Sequence, residues 1–326
     1  MKIGRIILSA VVALGCLLST AGCGKPVSSV GNIEPMTFVD GDLIAEINID
    51  GYGTIKAKLF PDLAPNGVEN FKMLAEQGYY NGLKIHRVYE DNLIQGGSLN
   101  GDGTGGKALI NTDGKFELET SEQARHIYGA LCYANVAGKN STQFFIVNNK
   151  TSQDLNTYDT EQIRAAAAAN TDLKDTVGES DPEYSTYAYK EKYYTALADM
   201  IANATPETKA KYTEVGGLPL FDGGYTVFGQ VFEGFDVLDK LNSVELTTNA
   251  YGEKSKPVQD IVISSVTISV YKTSTAESTA EAENGDNAEP KPESKTEESS
   301  TAEPSTAQAP ATAETAIDTT ETAEVA

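Results

Sequence analysis

Apolar residues in the middle of this chain come in short runs, at 83–88, 127–133, 144–147, 225–232 and 261–270, each bounded by Gly, Asn or Asp. Runs this short suit strands better than helices. Ahead of them, Leu43 to Ile49 alternates in part, Asp50 to Gly53 supplies turn residues, and Thr54 to Phe60 alternates again, which is the pattern of a β-hairpin. Many short strands with few helices predict a mainly β domain, a closed barrel or a sandwich, built on an antiparallel sheet.

Two departures from that pattern are helical. Pro61 and Pro65 end the hairpin, and Val68, Phe71, Met73 and Leu74 then recur at near-helical spacing up to Gly78, predicting a helix over 65–77. Between about 148 and 217 the composition shifts. Asp159 and Gln162 form a capping pair before an Ala-rich run, Asp181-Pro182 opens a Tyr- and Ala-rich stretch, and Thr205-Pro206-Glu207 opens another helix. Strand patterns resume directly afterwards, so this segment is a helical insertion in a loop of the β domain.

Both ends read as separate from the fold. Lys2 and Arg5 precede an apolar stretch from Ile6 to Leu18, long enough for an export signal and too short for an ordinary membrane span. Ser19 to Cys23 resembles a bacterial lipobox, with Thr20 where Leu is usual. The resemblance implies cleavage before Cys23, lipidation of that residue by diacylglycerol and an amide-linked acyl chain such as palmitate, and an extracytoplasmic protein anchored to the bacterial cell membrane. Ala13 to Cys16 is a rival site that would leave a very short apolar region, and plain secretion is the other alternative. From 273 to 326 the chain is Ala, Thr, Ser, Glu and Pro, which cannot bury enough surface to offset its ordering entropy, and it is expected to be a disordered acidic tail. The division is then 1–22 lipoprotein signal peptide, 23–37 tether, 38–272 folded domain and 273–326 tail.

Charge and cysteine content exclude several functions. Asp and Glu number 47 against 25 Lys and Arg, for a net charge of -22, so the chain lacks the basic clusters that nucleic acid requires. Cys16 and Cys23 lie in the export signal, leaving Cys132, in an apolar run, as a small buried hydrophobe. His86 and His126 are the only histidines, too few and too poorly accompanied for a metal site, and His86 reads as a buried structural hydrogen-bonder. Gly101 to Gly106 satisfies Gly-x-Gly-x-x-Gly without the strand-helix crossover of a dinucleotide site.

Asn70-Phe71, Ile85-His86-Arg87-Val88, Gln95-Gly96-Gly97, Gly103-Thr104-Gly105-Gly106, Ala134-Asn135, Gln143-Phe144-Phe145-Ile146 and Val227-Phe228-Gly229 occur in an order and spacing that resembles the cyclophilins. The resemblance spans nearly all of 38–272 apart from the insertion. It implies a closed eight-stranded antiparallel barrel capped by helices, here carrying the helical insertion, with a proline-binding groove. It also implies peptidyl-prolyl cis-trans isomerase activity without cofactor or metal, by a monomer whose partners are proline-containing polypeptides. The family's arginine maps onto Arg87, its neighbouring glutamine onto Gln95, the proline-pocket phenylalanine onto Phe145 and the peptide-binding backbone onto Ala134 and Asn135. Leu93 and Phe221 would complete the pocket, and Tyr225 stands where a pocket histidine is common.

The chemistry stands on its own. Rotation about an X-Pro bond crosses a barrier of roughly 18–20 kcal/mol because the C–N bond is partly double. A guanidinium that donates to the prolyl nitrogen as it pyramidalises opposes that resonance and acts mainly on the twisted state. Taken singly, Arg87 fits a solvated strand charge, Gln95 a turn residue and Phe145 an ordinary core ring. Asn92 falls where the family usually places an apolar aromatic, and Leu220 where many eukaryotic members have tryptophan, implying weak cyclosporin binding. A catalytically weak proline-peptide-binding chaperone or scaffold lipoprotein is therefore the alternative to an isomerase that assists folding of exported proteins.

Overall fold

The computed structural model describes residues 31–273. The export signal, Cys16, Cys23 and the acidic tail from 274 onward lie outside the described residues.

In chain order the elements are β1 (Leu43–Ile49), β2 (Gly53–Leu59), α1 (Pro65–Glu76), β3 (Lys84–Tyr89), β4 (Leu93–Gly96), β5 (Phe116–Glu117), β6 (Ala130–Val136) and β7 (Lys139–Val147). There follow α2 (Thr160–Val177), α3 (Tyr184–Ala202), α4 (Pro206–Val215), β8 (Thr226–Glu233), α5 (Phe235–Asn242), β9 (Leu246–Thr248), β10 (Lys254–Pro257) and β11 (Ile261–Val270). Eight strands form one antiparallel sheet in the order β4, β3, β11, β1, β2, β8, β6, β7, and β7 pairs back onto β4, which closes the barrel. Short β5 extends the sheet at the outer end of β7, and β9 pairs with β10 in a separate hairpin.

Closure follows from alternation. Ala45, Ile47, Ile55, Ala57, Leu131, Tyr133, Phe144, Ile146 and Phe228 form one buried cluster inside the barrel. Their immediate neighbours Cys132, Phe145, Val147 and Val227 belong to a second cluster, so they stand on the outer face of the same strands. Helices α1 and α5 lay Val68, Phe71, Leu74, Val237, Leu238 and Leu241 against the inner cluster. The Pro at the start of α1 leaves first-turn N–H groups to satisfy, and a distant Glu119 carboxylate accepts from Asn66 N at 3.0 Å and Gly67 N at 2.9 Å.

The outer cluster would be exposed on a bare barrel. Segment 218–225 covers it, with Leu218, Phe221 and Tyr225 packed on Phe145 and its neighbours. The insertion backs this segment. Asp159 caps α2 and Thr205 caps α4, both through side-chain acceptance of backbone N–H groups. Ile163 and Ala167 of α2 pack on Tyr194, Leu197 and Ile201 of α3, and Tyr193 of α3 donates its hydroxyl to the Leu220 carbonyl. Close approach needs glycine, since a Cβ on Gly224 would lie 2.7 Å from the Tyr193 ring.

Part of the stretch read as tether is packed on the domain. Asn32 is 3% exposed, its Nδ2 donates to the Arg125 carbonyl at 2.8 Å and to Gln230 Oε1 at 2.9 Å, and Ile33 packs beside Ile127, Leu155 and Tyr212. A polar side chain with two distant partner residues marks a built contact, which a polar stretch before the first strand does not announce in sequence.

Candidate active site

Arg87, Gln95 and Phe145 come from three neighbouring strands. Register pairs Arg87 with Gln95 across β3–β4 and Gln95 with Phe145 across β4–β7, so all three project from the outer face in one row. Arg87 Nη1 donates to Gln95 Oε1 at 3.2 Å, Gln95 Nε2 donates to Gln143 Oε1 at 3.1 Å, and Gln143 Nε2 donates to the Gly103 carbonyl at 2.8 Å. The glycine-rich loop thus forms the end of a chain of amides that leads to the guanidinium. Asp102 within it accepts from Thr104 N at 2.9 Å, a local turn with no helix behind it.

The other face of Arg87 meets a carboxylate. Its Nε donates to Glu253 Oε1 at 2.8 Å and its Nη2 to Glu253 Oε2 at 2.6 Å, a two-point ion pair, while Tyr89 on the same strand face lies 5.6 Å from the guanidinium carbon. These hydrogen bonds hold the Glu253 carboxyl below the usual carboxylate range, against the opposing effect of burial. Glu253 lies in the turn between β9 and β10, 166 residues from Arg87. Residue patterns give no signal for it.

Beside the row lies the aromatic cluster. The Phe145 ring meets Phe221 edge-on at 5.9 Å and Tyr225 edge-on at 5.6 Å, with Phe221 and Tyr225 themselves 4.8 Å apart. Burial raises the Tyr225 hydroxyl pKa, as does Tyr189, and the charge of Arg87 acts in the opposite direction. Phe145 and Leu93 are 0% and 1% exposed. They sit under the partly exposed Phe221 and Tyr225, so the accessible aromatic surface next to Arg87 comes from the latter two. Phe145 is the residue that the family resemblance puts at the core of the proline pocket, and segment 218–225 packs over it.

Ala134 and Asn135 occupy an irregular stretch of β6. The ladder to β7 shifts register between Tyr133 and Asn135, and the ladder to β8 ends at Tyr133. A bulge of this kind frees backbone groups from strand pairing. The Asn135 side chain is committed inward, with Nδ2 donating to the Gly224 carbonyl at 2.8 Å and Oδ1 accepting from Gly138 N at 2.9 Å. Tyr189, from the insertion, donates its hydroxyl to the same Gly224 carbonyl at 2.8 Å.

One expectation changes. His86 is half-buried, and neither ring nitrogen makes a hydrogen bond of normal geometry, so it does not anchor the strand as a structural hydrogen-bonder. The β3–β4 register slips between Ile85 and Arg87, and Ile85 and Val88 both face the inner cluster, so His86 is the extra residue of a bulge beside Arg87. Desolvation, and then the charge of Arg87, lower its pKa to about 4. Under the aromatic cluster lies a buried polar group absent from the sequence reading. His126 stacks on Phe145 at 6.3 Å, and its Nδ1 is 2.9 Å from Asp222 Oδ1. Asp222 also accepts from Arg125 Nη1 at 3.0 Å and from the Tyr212 hydroxyl. Burial raises the Asp222 pKa, but hydrogen bonds from His126 and the charge of Arg125 outweigh it and leave the carboxyl ionised.

A closed antiparallel barrel whose outer face carries an arginine, two glutamine amides and a covered aromatic cluster defines a β-barrel protein with one polar and aromatic outer face. The family described as Cyclophilin type peptidyl-prolyl cis-trans isomerase/CLD matches residues 44–167 and 181–268, and the chain belongs to that family. A Staphylococcus saprophyticus protein provisionally named peptidyl-prolyl cis-trans isomerase is 34% identical over 235 residues, spanning 71% of this chain and 95% of its own length. A Staphylococcus aureus protein of the same provisional name is 32% identical over 218 residues, 66% of this chain and 87% of its own. A crystal structure of a Cryptosporidium parvum cyclophilin type peptidyl-prolyl cis-trans isomerase aligns with a TM-score of 0.45 at 20% identity, covering 71% of this chain and 99% of that one.

Proposed function

We propose that the chain is a peptidyl-prolyl cis-trans isomerase that speeds folding of exported, proline-containing polypeptides at the outer face of a bacterial cytoplasmic membrane, anchored there by lipid on Cys23. The observation that carries the catalytic part is the strand register that sets Arg87 beside Gln95 and Gln95 beside Phe145, the ring over which Phe221 and Tyr225 pack.

A pyrrolidine ring resting on Phe221 and Tyr225 would hold the prolyl side of the bond while the acyl side turns. The Ala134–Asn135 backbone would bind the flanking peptide. An N–H of Arg87 would donate to the prolyl nitrogen only as that nitrogen pyramidalises, so it stabilises the twisted state over both ground states and accelerates rotation in both directions. Gln95 holds the guanidinium in place. The membrane part of the reading rests on the apolar segment 6–18 and the lipobox resemblance at Cys23.

The test is a proline-peptide isomerisation assay on the purified chain and on Arg87→Ala, with membrane fractionation of Cys23→Ser. Equal rates for wild type and Arg87→Ala would remove Arg87 from the mechanism, and Cys23→Ser remaining in the membrane fraction would remove the anchor. One observation favours a second reading, a proline-peptide-binding chaperone or scaffold of negligible turnover: Asn92 Oδ1 is buried without a hydrogen-bond partner at the position where the family usually has an apolar ring. Peptide binding without isomerisation would decide for that reading.

A further inference from the structure

We infer that Glu253 is a positioning residue for prolyl isomerisation, fixing the plane of the Arg87 guanidinium through its two-point ion pair; this rests on the isomerase reading proposed above.

Three N–H bonds of Arg87 are used within the protein, Nε and Nη2 to the two oxygens of Glu253 and Nη1 to Gln95. A guanidinium so held keeps one N–H on each terminal nitrogen for a bound peptide. Gln95 alone gives a single contact, about which the planar group can pivot. Two parallel bonds to one carboxylate remove that rotation, because fork and carboxylate are coplanar when both bonds form. Donation to a nitrogen that is pyramidal only in the twisted state needs the N–H direction set in advance, since any reorientation at that moment adds to the barrier.

The turn that presents Glu253 is built mainly from backbone groups and the Asn249 side chain, with Ser255 the one residue of the hairpin that also reaches the Glu253 carboxylate. Asn249 Oδ1 accepts from Tyr251 N at 2.9 Å and from Glu253 N at 3.0 Å, and Asn249 N donates to the Glu253 carbonyl at 2.8 Å. Gly252 takes a left-handed φ of 89° in the same turn, and Asn249 Nδ2 donates to Ser255 Oγ at 3.2 Å. These bonds remain when the Glu253 side chain is replaced. The carboxylate therefore serves chiefly Arg87, which takes both its oxygens, and the bonds that shape the β9–β10 turn run through Asn249.

The experiment measures kcat and KM separately on a proline peptide for the full chain in detergent, comparing wild type, Arg87→Ala, Glu253→Ala and Glu253→Gln. The Arg87 Nε–H resonance is followed by nitrogen-15 NMR in parallel. Both Glu253 variants are expected to lose roughly 10- to 100-fold in kcat with KM changed by no more than about twofold, and to lose the sharp, exchange-protected Nε–H signal. If Glu253→Ala does not fold, the near-isosteric Glu253→Gln decides alone. An active wild type with unchanged or raised kcat in the Glu253 variants overturns the inference and leaves the isomerase reading standing. An inactive wild type overturns both.

Discussion

Arg125 Nη1 donates to Asp222 Oδ2 at 3.0 Å with both side chains 1% exposed, an ion pair buried beneath the aromatic cluster and joined to the insertion by Arg125 Nη2, which donates to the Met200 carbonyl at 3.2 Å. Asp222 answers this one cation while also accepting from His126 and Tyr212. Asp222→Asn leaves Arg125 charged and unpaired in a dry site, where loss of one partner typically costs about 3–5 kcal/mol. Denaturant unfolding of the variant should show a loss of that size.

His86 links stability to pH. Its pKa is about 4 in the folded chain, against roughly 6.5 unfolded, so between those values the unfolded chain binds a proton that the folded chain does not. Stability from this group is whole above about pH 6.5 and falls as pH drops towards 4, by up to about 1.4 kcal/mol per pH unit. His86→Leu should flatten this part of the stability–pH curve, and parallel curves for variant and wild type would contradict the assignment.

Gly224→Ala tests how the insertion docks. The added methyl would fall 2.7 Å from the Tyr193 ring, so α3 or segment 218–225 must shift. Overpacking of this kind costs roughly 1–3 kcal/mol, and a lowered melting temperature is the expected result, with KM for a proline peptide rising because segment 218–225 carries Phe221 and Tyr225.

Arg87→Lys keeps a cation on β3 but cannot reproduce the fork to Glu253 and Gln95 together. If direction as well as charge matters at this position, kcat/KM should fall by roughly a hundredfold, comparable to loss of a single preorganised donor. A variant with nearly wild-type activity would mean that charge alone suffices.

Local chemistry made much of the scaffold readable. The β1–β2 hairpin, α1 ending ahead of Gly78, the long strand β11 and the capped helices of the insertion all follow from alternation, spacing or a cap within a few residues. Strand β4 was missed because Leu93 to Gly96 is buried on both faces and shows no alternation. Helix α5 and the β9–β10 hairpin were missed because each is short and lacks a cap or turn signature strong enough to stand out.

At the site the division is equally physical. Arg87, Gln95 and Phe145 were found because their neighbours in the chain carry a family pattern, and strand register then set them side by side. Residue pattern alone therefore determined a mainly β domain on an antiparallel sheet, and the family motifs pointed to the closed barrel and to Arg87, Gln95 and Phe145. Which charge answers Arg87, how the rings of Phe221 and Tyr225 lie over Phe145 and which buried cation holds Asp222 were decided by tertiary structure. Those partners lie on elements 166, 76 and 97 residues away, and only closure of the barrel and docking of the insertion bring them within hydrogen-bond or van der Waals range.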